Sequence, residues 1–234
     1  MLENMEHRGG QGAEPTSGDG AGILVQIPHK FLTAEVGELG FMLPAPGTYG
    51  VGNTFFPKED NLRAKCLVEL EKYIANFKLN LLGYREVPVN NESLGKSAKD
   101  SEPAHIQFFV APKEAMDEDT LERKMVVLRK YANRTIHQLF PSTYDSFYIS
   151  SLSCRTLIYK GQLTTEQLQQ YFLDLQRDTF ESALALVHSR FSTNTTPKWK
   201  LAQPFRYIAH NGEINTIAGN VNGMSKQGCT LSQK

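Results

Sequence analysis

The sequence is poor in cysteine, in unbalanced charge and in long apolar runs, and each absence excludes a class of protein. The three cysteines, Cys66, Cys154 and Cys229, are an odd number without CxxC spacing, which argues against a disulfide framework or a zinc site. Lys+Arg and Asp+Glu number 25 each, so net charge favours neither nucleic acid nor an anionic membrane as a partner. No apolar run approaches the ~18 residues that span a bilayer, and the first residues lack the apolar core of a signal peptide. We therefore expect a cytoplasmic chain, with an organellar one as the alternative.

Neither the cysteines nor the histidines form a recognisable chemical site. Cys66 lies in a helical pattern of leucines and Cys154 in a strand-like run, so both are expected to be small core residues. No base lies next to Cys154 in sequence to activate it as a nucleophile. His7, His188 and His210 lack a matching carboxylate pattern, so we expect hydrogen bonds within the core and no metal site.

Hydrophobic periodicity predicts a layered α+β domain. Apolar or alternating runs predict strands at 21–27, 48–56, 81–89, 106–110, 147–152, 156–159, 183–187 and 205–209. Helical patterns predict a short helix after residue 29, amphipathic helices at 61–77 and 117–139, and a helix that begins near Thr164. The acidic first turn of the 117–139 helix suits the positive end of the helix dipole, and Pro141 is expected to end it. The polar stretch 93–102 is expected to be an exposed loop.

Three glycines near the start of the chain have a spacing that resembles a nucleotide-binding motif but lack its context. Gly18, Gly20 and Gly22 are spaced GxGxG, and a strand follows them where a dinucleotide-binding fold requires a helix. The glycines are more consistent with a tight turn and a close approach of another backbone segment.

Two predicted strands end in dense polar clusters, and the first cluster suits a carboxylate ligand. The 183–187 strand leads directly into His188, Ser189 and Arg190. A guanidinium offers a planar fork of donors that matches a carboxylate. The hydroxyl groups of Ser192, Thr193 and Thr195 could donate further hydrogen bonds to the same ligand.

The second cluster follows the predicted 205–209 strand and supplies neutral donors. Asn211 carries a side-chain NH₂, and Gly212 has a backbone N–H that no Cβ shields. Adjacent donors of this kind form oxyanion holes in acyl transfer. The alternative is that Asn-Gly is a hairpin turn, for which this dipeptide is the strongest short-range signal.

Six sequence blocks resemble the glutaminase domain of glutamate synthase. The blocks are LENMEHRGG (2–10), PTSGDGAGI (15–23), FYISSLSCRTLIYKG (147–161), HSRFSTNT (188–195), and LAQPFR (201–206) with HNGEINT (210–216). They occur in order and cover about residues 1–222. The resemblance implies an N-terminal-nucleophile hydrolase fold, an αββα four-layer sandwich that would here be incomplete. The remaining residues, 223–234, are expected to be a divergent polar tail.

The resemblance also implies the roles of individual residues. Arg190 corresponds to the clamp on the α-carboxylate of glutamine, and Ser192, Thr193 and His210 would help to bind the substrate. Asn211 and Gly212 correspond to the oxyanion hole, and Arg8 would lie beside the nucleophile and help to order it. In the family the nucleophile is an N-terminal cysteine whose own α-amino group serves as the base.

The sequence departs from the family pattern at both ends. None of its cysteines matches the N-terminal nucleophile, and the match ends after Asn222. We therefore expect the polypeptide alone to be marginally folded and to hydrolyse no glutamine. The resemblance implies L-glutamine and the other synthase domains as partners. It implies no cofactor in this segment, and FMN with an iron–sulfur cluster in the other domains.

Three alternatives to a glutamate synthase glutaminase remain open at this point. One is a different class II glutamine amidotransferase, although Arg8 and Arg190 are 182 positions apart, much further than in the phosphoribosylamine-forming and asparagine-forming enzymes. Another is a glutamine-binding module without catalysis. The third is a gene relic with no function.

Overall fold

The computed structural model describes residues 18–189, 196–205, 207–208 and 217–226. Strands and helices are mixed along the chain. The strands are β1 (Ala21–Gln26), β2 (Gly50–Phe56), β3 (Leu79–Glu86), β4 (Ala104–Pro112), β5 (Tyr148–Ser153), β6 (Thr156–Gly161) and β7 (Ala185–His188). The helices are α1 (His29–Glu38), α2 (Asp60–Asn76), α3 (Lys96–Asp100), α4 (Glu118–Leu139), α5 (Thr165–Tyr171) and α6 (Ile217–Lys226).

The described strands form two antiparallel sheets. One sheet has the order β6-β1-β7 and the other has the order β3-β4-β2-β5. One core cluster joins the facing sides of the two sheets, with side chains such as Val25 of β1, Phe109 of β4 and Tyr159 of β6. A second cluster lies between the four-stranded sheet and helices α2 and α4, with residues such as Leu70 and Leu128. The predicted α+β class is confirmed.

Side-chain caps begin α4 and α5, and α4 ends before Pro141 as predicted. At the start of α4 the side chain of Asp117 accepts a hydrogen bond from the backbone N–H of Thr120 at 2.8 Å, and Pro141 follows the end of the helix. At the start of α5, Thr164 and Gln167 form a reciprocal capping box. These local contacts satisfy backbone N–H groups that a helix start otherwise leaves without partners.

Buried polar contacts join the two sheets and the chain segment after α5. The Arg85 guanidinium donates to both carboxylate oxygens of Asp174, at 2.8 and 2.7 Å, and to Glu35 at 2.7 Å. The Tyr159 hydroxyl donates to Asp174 at 2.7 Å, and the Gln107 side-chain NH₂ donates to Tyr159 at 2.9 Å. Burial alone would lower the pKa of Arg85, but the hydrogen bonds and charge of Asp174 outweigh it and raise the pKa.

Three secondary-structure predictions need correction. The stretch 93–102 contains helix α3, and Leu94, Ala98 and Glu102 are buried, so it is not an exposed loop. Glu102 accepts hydrogen bonds from Lys58, Asn91 and Tyr171, which is why this polar stretch can enter the core. The predicted strand 205–209 is wrong where it can be compared, because residues 205, 207 and 208 have no strand conformation.

The third correction concerns the predicted strand 183–187. Strand β7 begins two residues later, at Ala185, and it is only half-buried. At the other end of the chain, helix α6 continues past the predicted domain boundary at Asn222.

Candidate functional site

Strand β7 places His188 and Ser189, the first residues of the first predicted polar cluster, at one end of the three-stranded sheet. His188 is the last residue of β7 and pairs with Gly22 of β1, which in turn pairs with Lys160 of β6. The three residues therefore form a row across the sheet. Ser189, which follows His188, is buried. This sheet end is where the chain leads into Arg190.

Two glycines, Gly20 just before β1 and Gly22 within it, allow another chain segment to lie directly against this sheet end. A Cβ on Gly22 would overlap the carbonyl oxygen of Gln203 and the ring of Pro204, and one on Gly20 would contact Ala202. Gly20 also has a φ of +142°, a conformation that favours glycine. The expected close backbone approach at the GxGxG sequence is confirmed, and its partner is the segment 202–204.

The segment that approaches these glycines is anchored by its tryptophan. Trp199 is the single tryptophan of the chain and is 2% exposed. Its indole N–H donates to the carbonyl oxygen of Ala98 at 3.1 Å, and its rings pack against those of Phe55, His105 and Tyr171. The Gln203–Pro204 peptide bond that follows is cis.

Two lysines hold the outer side of the same segment. The Nζ atom of Lys200 donates to the carbonyl oxygen of Tyr144 at 2.5 Å and lies 3.0 Å from the carboxylate of Asp145. Lys198 also forms an ion pair with Asp145, at 2.8 Å. With Trp199, these contacts fix the chain that leads to Phe205, five residues before His210.

Lys160 lies beneath this segment and is fully buried. Its Nζ atom donates to the carbonyl oxygen of Lys200 at 3.1 Å and lies 4.0 Å from the centre of the Phe205 ring. Burial, with a smaller contribution from the charge of Arg129, holds the pKa of Lys160 well below its usual value. Sequence reasoning did not single out Lys160, although a lysine between apolar residues and Gly161 in an otherwise apolar strand was a usable signal.

The other predicted site residues lie outside the described residues. These are Arg8, Arg190, Ser192, Thr193, His210, Asn211 and Gly212. Their roles as clamp, substrate ligands and oxyanion hole therefore stay predictions. The described flanks are His188 and Ser189 on one side and the anchored segment 196–205 on the other.

The two described cysteines are not activated nucleophiles. Cys66 and Cys154 are both free and buried. Burial raises the pKa of Cys66 to about 11. Burial, assisted by the nearby carboxylates of Glu122 and Glu118, raises the pKa of Cys154 to about 12. A reactive thiol needs the opposite shift, so the expected core role of both cysteines is confirmed.

An open cleft lies at the opposite end of β1 and β7 from this site. It has a volume of about 990 Å³, with Gln26, His29, Tyr49 and Ser182 among its lining residues.

In the part of the chain that the structure describes, no three His, Cys, Asp or Glu side chains group as metal ligands. Those residues also include no helix that is long and apolar enough to span a membrane.

Comparison with known protein families identifies the family of this chain. A family model described as class-II glutamine amidotransferases matches residues 1–234, the whole chain. The chain belongs to the class-II glutamine amidotransferases. The match includes both polar clusters and the glycine-rich start of β1.

The amidotransferase is similar to parts of several glutamate synthases. It is 45% identical over 226 residues to the large chain of the NADPH glutamate synthase of Bacillus subtilis, which covers 96% of this chain and 14% of the relative. It is 42% identical over 241 residues to the NADH glutamate synthase of Schizosaccharomyces pombe, which covers 100% of this chain and 11% of the relative. Ferredoxin-dependent glutamate synthase 2 of Synechocystis is 40% identical over 221 residues, 94% of this chain and 14% of the relative.

These relatives confirm the resemblance seen in the sequence blocks. The chain spans about an eighth of the length of the curated relatives it matches, between 11 and 14%. The names of these relatives give three different electron donors, NADPH, NADH and ferredoxin. Their sequence identity to this chain is nevertheless similar, at 40 to 45%. This segment therefore does not distinguish the donor types.

Proposed function

We propose that this amidotransferase domain forms the glutamine-binding part of a glutamate synthase glutaminase. In that reaction ammonia is released from L-glutamine for the formation of glutamate from 2-oxoglutarate. The observation that carries the proposal is the 40 to 45% identity to glutamate synthases over 94 to 100% of this chain, within a class-II amidotransferase match that includes both polar clusters. The anchored segment and the glycine-rich sheet end support it, because they hold the described flanks of those clusters close together.

In this proposal Arg190 binds the α-carboxylate of glutamine through two parallel N–H donors. Ser192, Thr193 and His210 add polar contacts to the substrate. Asn211 and Gly212 donate to the oxygen that becomes negatively charged when the side-chain amide is attacked. Arg8 orders the nucleophile.

We further propose that the polypeptide alone binds glutamine without hydrolysing it. The family nucleophile is an N-terminal cysteine, and none of the three cysteines matches it. Cys66 and Cys154 are buried with raised pKa values, so neither can replace it. A glutamine-binding module without catalysis is therefore the second candidate, and it predicts the same binding.

The finer structural and cellular predictions belong to the same proposal. Helices α2 and α4 and the two sheets would be three layers of the αββα sandwich. Residues 1–222 would be a partial amidotransferase domain and 223–234 a divergent tail. FMN and an iron–sulfur cluster would belong to other synthase domains; the described residues fit no cluster, because their two cysteines are single and buried. A cytoplasmic or organellar location stays a prediction.

Calorimetric titration with L-glutamine, with ammonia measured in the same sample, tests both parts. We expect saturable heat from L-glutamine, none from D-glutamine, and no ammonia. Ammonia release that survives Cys154→Ala would contradict the inactivity. The absence of any L-glutamine heat from a folded sample would contradict the binding role.

A further inference from the structure

Lys160 occupies an unusual place beside the predicted glutamine site. Gly22 pairs with Lys160 on one side and with His188 on the other, so both side chains project from the same face of the sheet. Neighbouring strands are about 4.8 Å apart, which puts the Cα atoms of Lys160 and His188 about 10 Å from each other. Gly22 leaves a gap between them, and Gln203 and Pro204 fill it.

Every described contact of the Lys160 ammonium is electron-rich. Its Nζ atom donates to the carbonyl oxygen of Lys200 at 3.1 Å. The same atom lies 4.0 Å from the centre of the Phe205 ring and 5.0 Å from that of Tyr148. Ring faces and carbonyl oxygens attract a cation. Within the described ranges, Lys160 forms no ion pair with a carboxylate.

A buried ammonium without an ion pair is costly to keep. Burial lowers the pKa of Lys160 well below its usual value, and the charge of Arg129 on α4 lowers it further. An apolar side chain of similar length would avoid that cost. An unfavourable buried charge next to the predicted glutamine site indicates that Lys160 has a functional role there.

We propose that Lys160 is a positioning residue whose ammonium fixes the segment 200–205 against the sheet end, and with it the start of the chain that holds Asn211 and Gly212. The ammonium contacts both ends of that segment, the carbonyl oxygen of Lys200 and the ring of Phe205. The consequence for glutamine binding depends on the proposed function above. The effect on the segment itself does not.

Deuterium exchange on peptides from residues 196–205 tests the positioning directly. Lys160→Met keeps the length of the side chain but removes the charge and the donor. We expect exchange in 200–205 to become at least about tenfold faster, while peptides from α2 and α4 are unchanged. The urea midpoint should not fall below that of the wild type, because a buried charge is lost.

Two control variants separate positioning from packing. Lys160→Arg keeps a cation and should return the exchange to within about threefold of the wild type. Lys65→Met removes an exposed lysine of α2, away from this segment, and should leave the exchange of 200–205 unchanged. Wild-type exchange in Lys160→Met, or an equal rise in all peptides, would overturn the proposal.

If Lys160→Met does not fold, a pair of variants at Phe205 decides. Phe205 is half-buried and can be changed without opening the core. Phe205→Leu removes the ring face and should accelerate the exchange of 200–205, whereas Phe205→Tyr keeps the ring and should not. Equal exchange in the two variants would overturn the proposal.

Glutamine affinity tests the link to the site. We expect Lys160→Met to weaken L-glutamine binding by about tenfold and Lys160→Arg by much less. If the wild type binds no glutamine, the proposed function fails, while the exchange data still decide the role of Lys160. If Lys160→Met changes the exchange but binds glutamine as the wild type does, the link between Lys160 and the site is wrong.

Discussion

Arg85 and Asp174 offer the sharpest test of how the two sheets are held together. The side chains of Arg85 and Asp174 are 4% and 2% exposed, and the guanidinium donates to both carboxylate oxygens. Arg85→Met would leave the Asp174 carboxylate in the core with the Tyr159 hydroxyl as its described donor. Breaking a buried pair in this way costs about 3–5 kcal/mol. That is a large part of the ~5–15 kcal/mol that stabilises a typical domain.

Urea unfolding followed by circular dichroism measures this loss. With an m value of about 3 kcal/mol per molar, the midpoint of Arg85→Met should fall by about 1–2 M. The double variant Arg85→Met/Asp174→Asn should recover part of the loss, because no carboxylate stays buried without a cation. Arg155→Met is the matched control, since its ion pairs with Glu118 and Asp119 are exposed, and it should leave the midpoint unchanged.

The outcome that refutes this reasoning is specific. An Arg85→Met midpoint within about 0.3 M of the wild type would mean that Asp174 does not depend on Arg85. A double variant that is as unstable as the sum of the single variants would mean that the two side chains act independently.

The remaining predictions concern acid stability and the glycine contact. Burial lowers the pKa of His105 to about 3, so between about pH 6.5 and 3 the unfolded state binds a proton that the folded state does not. Stability should therefore fall with decreasing pH by up to about 1.4 kcal/mol per unit in that window, and less steeply in His105→Gln; equal slopes in urea titrations would contradict this. Gly22→Ala must displace Gln203 and should shift the emission of Trp199, whereas Gly37→Ala, with open space at its Cβ, should not. An unchanged spectrum for Gly22→Ala would contradict the close approach.

Local signals in the sequence predicted four of the six described helices, α1, α2, α4 and α5, and most of the strands, but they did not predict α3 or α6. The α4 helix was predictable because its acidic first turn, its apolar face and Pro141 all agree. A close approach of another backbone segment to the glycines was predictable, because a GxGxG sequence without a following helix is not a dinucleotide-binding motif. The partner segment was not predictable, because its approach depends on pairings between positions 180 residues apart.

The failures have a common physical cause. The stretch 93–102 has the composition of a surface loop, yet Glu102 is buried because Lys58, Asn91 and Tyr171 supply its hydrogen bonds. The partners of Lys160, the carbonyl oxygen of Lys200 and the ring of Phe205, were not predictable for the same reason, since they are distant in sequence. When distant residues supply the hydrogen bonds of a polar side chain, its burial cannot be predicted from the local sequence pattern.

Arg190 is proposed to bind the α-carboxylate of glutamine in this domain. Calorimetric titration of the wild type and Arg190→Ala with L-glutamine tests it most directly, with Arg134→Ala on the exposed side of α4 as control. Charge-assisted hydrogen bonds of this kind contribute about 1.5–3 kcal/mol, so Arg190→Ala should weaken binding by roughly 10- to 150-fold. The control should bind as the wild type does. Equal glutamine affinity in folded wild type and Arg190→Ala would contradict the proposed role of Arg190.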